Sequence, residues 1–108
     1  IQGILEDLGI PVTPPSPPMG SSDVGNVSYR CPAIQPMLAI TPEPYVLHTP
    51  EFARATTEEP AHRALLTGAQ ALAALSLRVL NEKDLREAIR EDYRKNLAAL
   101  QSEGGPRT

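Results

Sequence analysis

The polar and apolar positions divide the chain near residue 60. Of the 12 prolines, all but Pro106 lie at or before Pro60. Proline lacks a backbone N–H and clashes with a continuing helix, so the second half is free to be helical and most of the first half is not. The first long helix is expected to begin near Thr57, with Thr57 or Glu59 as cap and Pro60 in its first turn. Glu58 and Glu59 suit the positive end of its dipole. Its apolar stripe reads Leu65, Ala69, Leu72 and Ser76, with Ala73 and Leu80 beside it. The alanines and Gly68 suit close packing on a sheet. A second helix is expected from Asn81 as cap, with Asp84 three residues on as in a capping box. Leu85, Ile89, Tyr93, Leu97 and Leu100 form its stripe, and Glu82–Arg86 and Glu91–Lys95 are i,i+4 pairs on its wet side. Ser102 to Thr108 reads as a frayed tail, with 104–108 flexible.

The first half is punctuated differently. Ile1, Leu5 and Leu8 recur at helical spacing, and Gly9 followed by Pro11 marks a C-terminal stop. Pro11 to Pro18 favours extended, polyproline-like geometry and serves as a connector. Gly20-Ser-Ser-Asp-Val-Gly-Asn-Val-Ser28 reads as a tight loop whose N–H groups and hydroxyls can face a ligand. Ala33 to Ile40 reads as a short buried strand broken at Pro36. Tyr45-Val46-Leu47 leads into His48-Thr49-Pro50-Glu51-Phe52. The fold expected is α/β: a few short strands and two long C-terminal helices at one edge of a larger sheet.

Composition narrows the function. A chain of 108 residues supplies one small domain. Its formal net charge is −3 and no Lys/Arg block stands out, which argues against nucleic acid as a partner. The apolar run from Ala69 to Leu80 is interrupted by Gln70, Ser76 and Arg78, and reads as too short and too polar for a membrane span. Cys31 is the single cysteine, so neither an internal disulfide nor a thiolate metal cage is available. A reducing cytoplasm is the natural location. The chain starts at Ile1 without Met and is expected to be a piece of a longer protein, with an incomplete core.

Candidate chemistry is sparse. His62, four residues from Glu58 in the expected helix, reads as a surface residue. His48 ends an apolar run on a loop, where a neutral imidazole can point into a cleft as a metal ligand or base. Asp23 and the serines of the glycine loop are the second candidate. They lack a Gly-x-Ser-x-Gly elbow and the lysine of a phosphate-binding loop, so they read as pocket shapers or as a plain turn. His48 alone cannot hold zinc, which takes at least three protein ligands.

The segments Gly20–Ser28, Pro32-Ala-Ile-Gln-Pro36 and Leu47-His-Thr-Pro-Glu-Phe52, in this order, resemble the C-terminal end of the aminoacylase/carboxypeptidase-type zinc peptidases (clan MH). The branch resembled is the amidohydrolase group with aminobenzoyl-glutamate hydrolase and the Xaa-Arg and β-alanyl-lysine dipeptidases. The likeness extends through Ala69–Leu80 and Leu85–Tyr93, in the place of that group's two closing helices. It implies that residues 1–103 are the C-terminal portion of a catalytic domain that holds two metal ions, usually zinc with other divalent metals as alternatives, and cleaves an amide in a dipeptide or an N-acyl amino acid. It implies that His48 is the last metal ligand in chain order, and that Ser21, Ser22, Asp23 and Asn26 shape the substrate pocket. The family's His-x-Asp motif, bridging aspartate, paired glutamates and further metal-ligand acid do not occur here, and the resemblance places them upstream in an N-terminal metal-binding half; the lid domain, which often makes a homodimer, is absent too. Gln35 stands where many of that family have His. The piece is therefore expected to be inactive alone. The competing reading is a non-catalytic helical scaffold or interaction module.

Overall fold

The computed structural model describes residues 1–14 and 21–103, and every element formed there is helical. In order they are α1 (Gln2–Asp7), α2 (Val24–Ser28), α3 (Pro50–Ala55), α4 (Glu59–Asn81) and α5 (Lys83–Glu103). The α/β expectation is therefore corrected: no strand forms among the described residues. The segment read as a strand, Ala33–Ile40, runs without regular structure, with Ile34 and Met37 exposed. A strand needs a neighbour to pair its N–H and C=O groups, and no strand forms beside it among the described residues. Pro32 and Pro36 also remove two donors from the stretch. The proline run from Pro15 and the tail 104–108 lie outside the described residues. Ser102, expected to fray, is in α5.

The chain divides into two compact units. The first comprises Ile1–Thr13 and Pro36–Leu77, the second Pro14–Gln35 and Arg78–Thr108.

In the first unit, α1 stops where glycine permits it. Gly9 takes φ 81°, the left-handed region, directly after the C-cap Leu8. The Gly9 N–H donates to Glu6 O and the Ile10 N–H to Leu5 O, both at 2.9 Å. This is the Schellman arrangement, and its usual apolar contact is present: Ile10 packs against the cluster containing Leu5. That cluster is Ile4, Leu5 and Ala71, flanked by Ile1, Ala74 and Leu75. The face of α4 that packs is thus the small-residue face, with Ala61 and Ala71 buried and Ala64, Gly68 and Leu75 half-buried.

The stripe expected to pack is the one left in the open. Leu65 is 72%, Leu72 57% and Leu80 73% exposed. Helix α4 is apolar on both sides, and residue size decided between them: alanine and glycine let α1 and the coil approach closely, which leucines would prevent. Leu38 Cδ2 lies 3.5 Å from where a Cβ on Gly68 would stand, an ordinary van der Waals distance. Gly68→Ala is therefore expected to raise thermal stability by up to about 1 kcal/mol, through helix propensity and a less flexible unfolded chain. A melting curve of the variant checks this. Taken over its full 23 residues, α4 is also long and apolar enough to cross a bilayer by length and composition. The shorter run from Ala69 understated it, because Ala64, Leu65 and Leu66 extend the apolar stretch toward the N-terminus.

In the second unit the α4–α5 junction is a single residue, Glu82. Asn81 is the last residue of α4 and not the cap of α5. The Glu82 N–H still donates to Arg78 O at 2.8 Å, and Glu82 O accepts from the Arg86 N–H at 3.2 Å. The break leaves the carbonyls of Val79 and Leu80 without their usual i+4 donors. Arg86 supplies them: its Nη1 donates to both oxygens at 2.8 Å. The expected Glu82–Arg86 pair is replaced accordingly. Glu82 pairs with Arg78 at 2.9 Å instead, while Glu91–Lys95 forms at 3.9 Å. These exposed pairs contribute only tenths of a kcal/mol. Leu85, Ile89, Tyr93 and Leu97 are half-buried along one side of α5, as their spacing predicts, and Leu100 is exposed.

Candidate functional site

His48 lies in the turn between the apolar Tyr45–Leu47 approach and α3, and its side chain is exposed. Thr49 builds that turn. Its Oγ1 donates to Val46 O at 2.7 Å and accepts from the Phe52 N–H at 3.3 Å. Thr49 is thereby the N-cap of α3, Pro50 stands in the first turn where its missing N–H costs nothing, and Glu51 faces the positive helix end. The Thr-Pro-Glu run carries this helix-start signal in the sequence. Closing the turn forces His48 to φ 62°. It is the one non-glycine residue in the left-handed region among those described, a conformation that costs an L-residue about 1–2 kcal/mol. Thr49→Ala is expected to loosen the turn and the first turn of α3, at about 1 kcal/mol, with Thr49→Ser close to wild type. Faster amide exchange at Phe52 in the alanine variant is the readout.

Ser21, Ser22, Asp23 and Asn26 are all exposed and belong to the second unit, whereas His48 belongs to the first. The glycine segment is not the tight loop expected. From Val24 to Ser28 it is the short helix α2, with Asp23 as N-cap; Gly20 lies outside the described residues. The N–H groups of Val24 to Val27 are spent internally. Gly25 N–H donates to Ser22 O at 3.0 Å, and Asn26 and Val27 N–H donate to Asp23 O at 3.1 and 3.4 Å. The Val24 N–H donates to Ser22 Oγ at 3.2 Å, and Ser28 Oγ donates to Gly25 O at 2.6 Å. Backbone donors for a ligand are therefore fewer than the sequence suggested. The Asp23 carboxylate makes no capping bond. Serine and aspartate just before an apolar residue are helix-start residues, and the two glycines concealed that signal.

Among the described residues no three His, Cys, Asp or Glu side chains come together as a metal-holding group. These residues fit a metal ion only as contributors of a donor, His48 being the exposed imidazole on a constrained turn. His62 is exposed on α4, as expected.

No family model matches this chain, and no solved structure does. Two curated proteins are similar to it. The human Xaa-Arg dipeptidase is 38% identical over 80 residues, and the mouse Xaa-Arg dipeptidase is 34% identical over 80 residues. Those residues are 74% of this chain but 18% of each relative. The chain is thus similar to a short piece of a dipeptidase, a peptidase-type resemblance that spans less than a fifth of the relatives' length.

Proposed function

We propose that this chain is part of a metal-dependent amidohydrolase or dipeptidase of the aminoacylase/carboxypeptidase type, cleaving an amide in dipeptides or N-acyl amino acids, and inactive without the rest of the catalytic domain. The similarity to Xaa-Arg dipeptidase over 80 residues carries this reading. In it, His48 is one ligand of a two-zinc centre whose other ligands come from a preceding half of the protein. Zinc, when bound, polarises the scissile carbonyl and supplies hydroxide near neutral pH. The contribution of this chain is narrower. The Thr49 clasp holds the His48 backbone in one conformation, so a ligand mounted there arrives oriented. Ser21, Ser22, Asp23 and Asn26 offer hydroxyl, carboxylate and amide groups for shaping a substrate pocket. The intact protein is read as cytoplasmic and able to form a homodimer, with α4 a helix of a soluble domain and neither nucleic acid nor membrane as a partner.

The test is hydrolysis of a dipeptide with C-terminal arginine. The chain, extended upstream to the length of a dipeptidase, should cleave it in a zinc-dependent way and lose the activity to a chelator. The 108-residue chain should not cleave it. Absence of metal-dependent hydrolysis in the extended protein would leave the scaffold reading in its place.

A further inference from the structure

We draw no further inference here: the strongest candidate, the exposed leucine face of α4 formed by Leu65, Leu66, Leu72, Leu77 and Leu80, is an unpartnered apolar surface, and nothing in the structure shows what covers it.

Discussion

Replacing Ala71 with glutamate is expected to unfold the first unit of this chain, while the same change one residue on, at Leu72, leaves it folded. Ala71 is 3% exposed and sits with Ile4 and Leu5 at the centre of the apolar cluster. Glutamate there must place a carboxylate among the apolar side chains of Ile4, Leu5 and Leu75, and must force α1 away to make room. Both effects belong to the short list that produces large losses, and together they cost on the order of 3–5 kcal/mol. The core has little to set against this, since among the described residues the buried set is Ile4, Leu5, Ala55, Ala61 and Ala71, with no large side chain fully buried. Leu72 is 57% exposed, and an exposed substitution away from caps and networks moves stability by about 0.5 kcal/mol or less. Thermal unfolding by far-UV circular dichroism, with amide exchange at Glu6 and Ile10 as the local probe, separates the two. If Leu72→Glu proves the more damaging, the Leu65–Leu72 stripe is the packed face after all.

That contrast marks where the sequence was readable. Positions governed by backbone chemistry came through: Gly9 ended α1, the proline-free stretch became two long helices, and the α5 stripe fell where its spacing put it. Positions governed by competition did not. On α4 the larger leucines outranked the alanines in hydrophobicity, but the partner could approach only across the small residues. At the α4–α5 junction Asn81 has a capping side chain, yet Arg86 serves Val79 and Leu80 from the next helix, a contact seven and six residues away that no local pattern announces. The apolar run at Ala33–Ile40 resembled a strand because periodicity cannot report whether a partner strand exists. The place of His48 on a loop after an apolar run is legible in the sequence. Its left-handed backbone was not legible, because it follows from the two hydrogen bonds of Thr49 on the residue after it.

His48→Gly should separate the fold of that turn from its chemistry. Glycine adopts φ 62° without a Cβ penalty, and the exposed imidazole contributes little packing. The relief offsets the extra entropy glycine brings to the unfolded chain, so the 108-residue variant should melt within a few degrees of wild type. His48→Val, β-branched and strained at that φ, should lose about 1–2 kcal/mol. Zinc below its dissociation constant stabilises by less than about 0.4 kcal/mol, which for a domain of this size is a shift of about 3 °C or less. One imidazole without a cluster around it predicts that small response, for wild type and His48→Gly alike. In the extended protein the same glycine variant should fold normally and lose metal affinity and hydrolysis by at least about 100-fold, since even residues that merely support a ligand cost 10–100-fold. Zinc content by mass spectrometry of the purified protein reads the loss directly. Full zinc occupancy and undiminished turnover in that variant would remove His48 from the metal centre, whereas a large zinc-induced rise in the melting temperature of the short chain would mean that these residues hold a metal by themselves.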